Sequence, residues 1–257
     1  MNIVVCIKQV PDTETQIKIA GDGKSIATDD IKWVMNPYDE FGVEEALRIQ
    51  KAQGGTTVTV VGAGPKRVTE SLRTALAMGA DKAVLVEDDG LYGADPLAVA
   101  KILAAVVKPL EADIVFLGMR AVDDDAGLVG SALAEYLDMP NLSVVTKLEI
   151  ADGKAKAQRP VEGQTLVLEA PPPVVVTAQK GLNEPRYASL PGIMKAKKKP
   201  LEVKTLADLG LDKTGKAEVT ALTPPPARAA GKAIGGETPQ ELAANLAKAL
   251  REEAKVI

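Results

Sequence analysis

The amino-acid sequence predicts an α/β fold with a doubly wound, mostly parallel sheet, added antiparallel strands and an extended C-terminal arm that ends in a helix. Short runs rich in valine and isoleucine alternate with helical patterns through about the first 140 residues. After that point, turn formers separate strand-like runs, and a long aperiodic stretch precedes one last amphipathic pattern. Alternation of strands and helices is typical of a parallel sheet covered by helices on both faces.

Four apolar runs predict the central strands of that sheet. They are too short for core helices and rich in β-branched residues, so we expect them to be buried on both faces. The four runs are Ile3–Ile7, Thr57–Val61, Ala83–Val86 and Ile114–Leu117.

Helix signals lie between these runs, as a doubly wound sheet requires. Asn36 can cap a helix that has Pro37 at its first position, and Asp95 can open another with Pro96. A third helix is expected to end at Gly79 in a left-handed conformation, which glycine adopts without steric cost.

The strand-like runs of the second half predict antiparallel strands, either added to the sheet or folded beside it. Asp152-Gly153 lies between two of these runs and is a strong hairpin signal. The runs are Leu142–Ile150, Ala155–Arg159, Thr165–Leu168 and Val174–Thr177.

The C-terminal part shows little periodicity over residues 195–236, and a capping box at Thr238 and Glu241 then begins an amphipathic helix. The apolar face of this helix either folds back on its own domain or packs on a partner subunit. We therefore divide the chain into an α/β domain, residues 1–194, and an extended arm with its helix, residues 195–257.

The composition excludes several classes of function. The absence of histidine and the single cysteine exclude histidine-dependent catalysis, histidine-ligated zinc and an internal disulfide. An aromatic content of 3% and a net charge of -4 argue against nucleic acid binding. The sequence has no leader-like start and no apolar run of transmembrane length, so we expect an intracellular, cytoplasmic protein without membrane insertion.

Ligands of doubly wound sheets bind beyond the carboxyl ends of the strands, where the strand order reverses. Gly62–Gly64 follows one strand but lacks the third glycine of the dinucleotide fingerprint, so it is weak evidence. The segment Gly118–Gly130 is better, because a helix beginning near Ala126 would offer free backbone N–H groups to an anion. Gly127 would leave room for the anion to approach.

Three consecutive aspartates, Asp123–Asp125, lie in this segment and have two interpretations. They could bind a metal, although successive side chains on a loop diverge and no other ligand cluster is evident. The favoured interpretation is that Asp125 caps the following helix while Asp123 or Asp124 hydrogen-bonds the loop. We therefore predict no metal site.

A segment of turn formers and isolated apolar residues, Gly181–Lys199, follows the last strand-like run and ends in several lysines. Apolar side chains such as Leu182 and Leu190, displayed on a loop, indicate a surface for another protein. The alternative is an ordinary loop packed over the core. The lysines either steer the encounter with a partner or keep the loop soluble.

Several parts of the sequence resemble the beta (small) subunit family of electron transfer flavoproteins, in collinear order along nearly the whole chain. The matching stretches are Met35–Pro37 with Val43–Ala46, Arg73–Asp81, Leu117-Gly118 with Ala121–Asp125, and Leu182–Tyr187 with Leu190-Pro191 and Ile193–Lys199. The resemblance implies an electron carrier rather than an enzyme, without catalytic side chains of its own. Residues 1–194 would then form a Rossmann-like, nucleotide-binding domain that includes a partner-recognition loop at 181–194.

The resemblance also implies partners and cofactors. The chain would form a heterodimer with an alpha subunit, against which the C-terminal arm would pack, and the two subunits would share one FAD. Electrons would come from acyl-CoA dehydrogenases of fatty acid oxidation and related flavin dehydrogenases, and would leave to a quinone reductase. A structural AMP would bind in the cleft of this chain.

The resemblance assigns roles to individual residues. The implied cofactor-binding residues are Cys6 and Ala63 at the adenine, Asn36 and Asp123 at the ribose, Gly127, Leu128, Val129 and Gly130 at the phosphate, and Tyr38 at the flavin ring. An alternative for Tyr38 is local packing at the start of its helix. The implied partner-binding residues are Leu182, which would be the anchor, with Asn183, Glu184, Pro185, Arg186 and Tyr187.

Alternatives to this interpretation remain open. Relatives of a bifurcating type hold a second FAD in the cleft, but the Asp-Thr-x-Gln run usual in them is absent here, which favours AMP. Relatives also often have polar residues where this chain has Leu128 and Val129, so only backbone donors would hold the phosphate. A non-redox adenine-nucleotide-binding protein is another alternative. An adenylating enzyme would need a phosphate-binding loop after the first strand, and Lys8–Asp12 is not one.

Overall fold

The computed structural model describes residues 1–227 and 230–257 of the chain. These residues divide into two compact units, Met1–Leu222 and Thr223–Ile257. Residues 195–222, which the sequence assigns to the arm, therefore lie in the first unit.

The first unit contains the strands and all helices but one of those described. Its strands are β1 (Asn2–Ile7), β2 (Gln9–Pro11), β3 (Trp33–Met35), β4 (Thr57–Gly64), β5 (Lys82–Glu87), β6 (Ile114–Gly118), β7 (Asn141–Val145), β8 (Lys147–Ala151), β9 (Lys154–Val161), β10 (Gln164–Ala170), β11 (Val174–Ala178) and β12 (Leu201–Lys204). Its helices are α1 (Pro37–Ala52), α2 (Val68–Met78), α3 (Pro96–Val107), α4 (Val129–Leu137) and α5 (Leu190–Ala196). Short 3₁₀ turns occupy Asp89–Leu91, Lys108–Leu110 and Ala207–Leu209.

The main sheet has seven strands in the order β12-β5-β4-β1-β6-β11-β7, and its neighbouring strands are parallel. The chain winds from β1 through β4 to β5 on one side, and then crosses to β6 on the other side of β1. The strand order therefore reverses between β1 and β6, where an open α/β sheet has its ligand crevice. The predicted doubly wound, parallel sheet is confirmed.

Helices cover both faces of the main sheet because successive strand residues point to opposite sides. On β1, Ile3 and Val5 join the core cluster that includes residues of α1 and α2. Val4 and Cys6 join the cluster that includes residues of α3 and α4. The apolar runs were therefore predicted correctly as strands buried on both faces.

The strands after residue 140 were expected to be antiparallel, but some of them are parallel. β8, β9 and β10 do form a separate antiparallel sheet, and Asp152-Gly153 makes the predicted hairpin turn, with both residues at positive φ. The expected strand Leu142–Ile150 is two strands, because Val144 adopts a φ of 59° and the chain leaves the main sheet after Val145. β7 and β11 pair in parallel, and all five residues of β11 are buried.

Three further elements were not predicted. β2 and β3 form a small antiparallel sheet beyond the end of β1. Helix α5 lies inside the segment expected to be a loop, and Ser189 caps it by accepting the N–H of Gly192. β12 adds an edge strand to the main sheet beside β5.

Most helix signals are confirmed. Asp95 accepts the N–H of Leu97 at the start of α3, and α1 begins at Pro37. α2 ends before Gly79, whose φ is positive. The second unit contains α6 (Pro239–Glu252), which begins as the capping box predicts, since Thr238 accepts the N–H of Glu241.

Candidate functional site

A cleft of about 800 Å³, part of it open to solvent, lies at the carboxyl ends of β1, β4 and β6. This is the position that the reversal of strand order predicts for a ligand. The residues expected at a nucleotide that line this cleft are Cys6, Asn36, Ala63, Gly127, Val129 and Gly130. Tyr38, Asp123 and Leu128, which were also expected at cofactors, do not line it.

Asp39 is the buried charged residue of this cleft, and sequence reasoning missed its role. One of its carboxylate oxygens accepts the backbone N–H of Lys8, and the other accepts that of Gly118, each at 2.7 Å. Burial raises the pKa of Asp39 to about 7, and the two N–H groups act in the opposite direction by favouring the charged form. Asp39 thus ties the end of β1 to the end of β6 across the crevice.

Gly118 allows this connection because any larger residue would collide with helix α1. A Cβ atom at this position would lie 2.6 Å from the Cβ atom of Tyr38 and against the Asp39 carboxylate. The close approach of strand β6 to the first turn of α1 therefore requires glycine here.

Asn36 holds the loop that closes the cleft and does not cap α1 with its side chain. Its Nδ2 donates to the carbonyl of Arg120 at 2.9 Å, and its Oδ1 accepts the N–H of Val122 at 3.2 Å. One amide thereby fixes the loop of residues 119–128 by both of its polar atoms.

The aspartates of this loop make ion pairs, and the predicted cap of α4 was wrong. α4 begins at Val129 rather than near Ala126, and it has no side-chain cap. Asp125 instead adopts a φ of 52°, and its carboxylate lies 3.3 Å from Nε of Arg120. The other half of that prediction is confirmed, because Asp124 accepts the N–H of Ala126 at 3.1 Å.

Lys8 connects the end of β1 to the same loop. Its Nζ lies 2.8 Å from a carboxylate oxygen of Asp123 and 2.9 Å from one of Asp124. Asp123 is thus occupied by an ion pair, and Asp124 lines the cleft together with Lys8.

The first turn of α4 supplies the donors that an anion in the cleft would need. The first N–H groups of a helix have no intrahelical partner, and the helix dipole favours negative charge at this end. Gly127 has a φ of 59°, and a Cβ atom at Gly130 would collide with the side chain of Thr177. The side chain of Leu128 is 42% exposed and adds no polar group.

The opposite end of the cleft is apolar. Its lining includes Cys6 and Ala63 together with Leu91, Val99, Leu103 and Leu117. Burial raises the pKa of the Cys6 thiol, so this side chain is neutral near pH 7 and acts as a small apolar residue. An apolar end and a donor-rich end suit a ligand with a flat base and an anionic group.

Tyr38 lies in the first turn of α1, beside the cleft. Its phenol oxygen accepts a hydrogen bond from Nη2 of Arg120 at 3.3 Å, and the guanidinium carbon lies 5.5 Å from the ring centroid. Arg120 also lines the cleft, so one side chain contacts both the cleft and Tyr38.

Side-chain hydrogen bonds attach the start of the segment 181–194, the expected partner-recognition loop and here called the partner-binding segment, to helix α1. Asn183 donates to the carbonyl of Phe41 at 2.9 Å and to the carboxylate of Glu45 at 2.8 Å. Arg186 donates to both carboxylate oxygens of Glu44, at 2.7 and 2.9 Å. This part of the segment is therefore ordered by side-chain bonds, as the interpretation of a loop packed over the core requires.

Apolar side chains of the same segment nevertheless face solvent. Tyr187 is 98% exposed, Leu190 79% and Met194 72%, whereas Leu182 is half-buried and packs against the main core. Pro185 is half-buried and Glu184 is exposed. The exposed residues form an apolar surface of the kind that marks protein contacts.

The lysines at the end of the segment are not equivalent. Lys199 donates its ammonium group to the carbonyls of Leu76, Gly79 and Ala80, the last turn and exit of α2. The three lysines that stay exposed are Lys195, Lys197 and Lys198. Only these three are free to steer a partner.

Residues 1–227 and 230–257 contain neither a cluster of metal ligands nor a membrane-spanning helix. No three metal-ligating side chains in these residues lie close enough together to hold a metal ion. None of the helices in the same residues combines the length and apolarity that crossing a bilayer requires.

Comparisons with known proteins identify the family of this chain. The family described as "Electron transfer flavoprotein domain" matches residues 24–209. This chain belongs to that family. The electron transfer flavoprotein subunit beta of Bacillus subtilis is 46% identical over the full length of both chains, and that of Bradyrhizobium diazoefficiens is 41% identical, also over the full length. The mouse subunit beta is 40% identical over 96% of each chain, so the resemblance to beta subunits is confirmed.

In this electron transfer flavoprotein family member, three residues at the cleft or its loop were not among the site residues expected from the sequence. Asp39, Lys8 and Arg120 all contact the cleft or its loop. Lys8 and Arg120 follow the ends of strands, and Asp39 lies between the matching stretches Met35–Pro37 and Val43–Ala46. Their partners could be known only from the fold.

Proposed function

We propose that this electron transfer flavoprotein beta subunit pairs with an alpha subunit and shares one FAD with it at their interface. The heterodimer takes electrons from acyl-CoA and related flavin dehydrogenases and passes them to a quinone reductase, as a carrier and not an enzyme. The observation that carries the proposal is the full-length similarity to proteins named subunit beta. Within the cell, the heterodimer works in the cytoplasm.

We propose that the cleft binds AMP. Its apolar end accommodates the adenine beside Cys6 and Ala63, and its other end offers the backbone N–H groups of Gly127 to Gly130 to one phosphate. Asn36 stands between these ends and is suited to position the ribose together with the loop of Asp123.

The flavin site is proposed to use the Tyr38 side of this chain as one wall. The aromatic ring of Tyr38 is held by a cation, Arg120, and an aromatic face suits contact with a planar ring system. FAD supplies the electron storage when it is bound. The residues of this chain position it and exclude water, and the alpha subunit supplies the remaining walls.

The dehydrogenase contact is proposed to use the segment 181–194. Asn183 and Arg186 fasten its start, and the exposed side chains of Tyr187, Leu190 and Met194 face outward. The prediction that Leu182 itself enters the partner stays untested. Its half-buried position favours Leu190 as the contact and Leu182 as the residue that fixes the segment.

Co-expression with an alpha subunit tests the proposal directly. We expect a stable heterodimer that releases one FAD and one AMP on denaturation, identified by chromatography and mass spectrometry. Release of two FAD and no AMP would support the bifurcating alternative. A monomer that binds flavin and transfers electrons without a partner would contradict the proposed function.

A further inference from the structure

The two cations that line the cleft are each paired with carboxylates from one loop. Lys8 bridges Asp123 and Asp124, at 2.8 and 2.9 Å. Nε of Arg120 lies 3.3 Å from the Asp125 carboxylate, and Nη2 of Arg120 donates a hydrogen bond to the phenol of Tyr38. The cleft is thus lined by two cations and by the carboxylates of Asp39 and Asp124, while Asp123 and Asp125 pair with the same cations from just outside the lining.

This balance of charge has a consequence for phosphate ligands. A single phosphate can be held by backbone N–H groups, which need no free cation. A second or third phosphate adds negative charge beside carboxylates, and the lysine and arginine that could neutralise it are already paired. Two like charges about 4 Å apart repel each other by about 1 kcal/mol even in bulk water, and the total repulsion grows with each added phosphate.

We propose that the cluster of Lys8, Asp123 and Asp124 restricts the cleft to nucleoside monophosphates, with Asp124 as the residue that determines this specificity. Nucleoside diphosphates and triphosphates, which carry more negative charge than a monophosphate, are disfavoured. The inference rests on the proposed binding of a nucleotide in the cleft, and it goes further by naming the residue that sets the number of phosphates.

Asp124 is the member of the cluster that a substitution can test most cleanly. It lines the cleft, and its side chain is 46% exposed. Asp124→Asn removes the charge but keeps an oxygen to accept the N–H of Ala126, so the turn before α4 is retained. Lys8 keeps its bond to Asp123 and gains capacity to attract a phosphate.

The experiment measures dissociation constants of AMP, ADP and ATP for the heterodimer stripped of nucleotide. We expect the wild type to bind AMP most tightly and ATP least. Asp124→Asn should tighten ATP binding about tenfold more than it tightens AMP binding, because the added phosphates carry the extra charge. High salt should reduce the discrimination of the wild type, since the carboxylate at Asp124 is partly exposed to solvent.

Two further variants keep the test decisive. Lys8→Gln should act in the opposite direction and weaken ATP binding more than AMP binding, because it leaves Asp123 and Asp124 without their cation. Asp152→Asn makes the same chemical change in the turn between β8 and β9, outside the cleft lining, and should alter neither affinity.

The outcomes separate this inference from the proposed function. If the wild type binds ATP as tightly as AMP, or if Asp124→Asn changes both affinities by the same factor, the inference is overturned while a nucleotide site remains. If the heterodimer binds none of the three nucleotides, the proposed AMP site fails and the inference fails with it.

Discussion

Helix α1 carries two carboxylates that hold the two proposed functional regions in different ways. Asp39, in its first turn, accepts backbone N–H groups from Lys8 and Gly118 at the cleft. Glu44, one turn further, accepts the guanidinium of Arg186 from the partner-binding segment. Burial raises the pKa of Asp39 to about 7. Burial alone would also raise the pKa of Glu44, but the hydrogen bonds from Arg186 outweigh it and hold that pKa below its ordinary value.

The two regions differ in how they are held. Asp39 binds backbone N–H groups at the cleft, whereas Glu44 binds a side chain of the segment 181–194. The cleft depends on the ends of two core strands, so a change at Asp39 disturbs the sheet and the ligand together. The segment is attached to the outside of α1 and α2 by a few polar side chains, and its apolar contacts face solvent. Substitutions there can therefore weaken partner binding while the fold stays intact.

The largest expected effect comes from Asp39→Ala. It leaves the N–H groups of Lys8 and Gly118 without their buried acceptor, and each such loss costs about 1–3 kcal/mol. We expect the free energy of unfolding to fall by about 2–4 kcal/mol and the purified heterodimer to lose its nucleotide. Urea denaturation and analysis of the released nucleotide measure the two effects.

Glu135→Ala is the matched control for that variant, because Glu135 is an exposed carboxylate on helix α4. Its substitution should change the free energy of unfolding by less than about 0.5 kcal/mol. An Asp39→Ala protein that is as stable as this control and keeps its nucleotide would show that the cleft does not depend on the buried carboxylate.

A pair of leucine substitutions gives the next largest effect and sharpens the comparison within the segment. Leu182→Ala removes a half-buried side chain from the core and should lower the free energy of unfolding by about 1–2 kcal/mol. Leu190→Ala removes a side chain that is 79% exposed and should leave the stability unchanged. We expect Leu190→Ala to slow electron transfer from dehydrogenases at normal FAD content, as stopped-flow absorbance would measure.

The two variants serve as controls for each other, since each makes the same change of side chain. Normal transfer by Leu190→Ala, with slow transfer by a fully folded Leu182→Ala protein, would return the role of anchor to Leu182. Normal transfer by both would remove this segment from dehydrogenase docking.

The sequence predicted the central strands because their environment leaves a local mark. Ile3–Ile7 and Ile114–Leu117 are continuous apolar runs, as strands buried on both faces must be. The parallel pairing of β11 and β7 was not predicted, because a hairpin signal at Asp152 suggested antiparallel strands throughout, and pairing partners are set by distant contacts. Helix α5 was missed because Pro191 and Gly192 are typical of turns, although proline is also compatible with a first helical turn.

The candidate site was predictable in position but not in its interactions. The carboxyl ends of the strands pointed to the cleft, and family resemblance supplied six of its lining residues. An acidic residue such as Asp39 is favoured in the first turn of any helix, so its position in the sequence does not indicate a second function. Its function as a bridge arises because β1 and β6 become neighbours, although they are more than 100 residues apart in the chain.

The last effect we predict is a difference in pH dependence between the two carboxylates. The pKa of Asp39 is higher in the folded protein than its ordinary value of 3.8, so the folded state binds more protons between about pH 4 and pH 7. The contribution of Asp39 to stability is therefore present at low pH and is lost as the pH rises towards 7. Glu44, whose pKa is lowered, contributes stability above its ordinary pKa of 4.5 and loses it as the pH falls below that value.

Urea denaturation between pH 4 and pH 8 distinguishes these slopes through two isosteric variants. Asp39→Asn cannot titrate, so the free energy of unfolding should lose the decrease that Asp39 causes between pH 4 and 7, a slope of up to about 1.4 kcal/mol per pH unit. Glu44→Gln should instead remove an increase of stability with pH near and above pH 4, and should keep the slope due to Asp39. If Asp39→Asn kept the pH profile of the wild type, the carboxylate at the cleft would titrate like an exposed one. The contrast between a backbone-held and a side-chain-held carboxylate on α1 would then be lost.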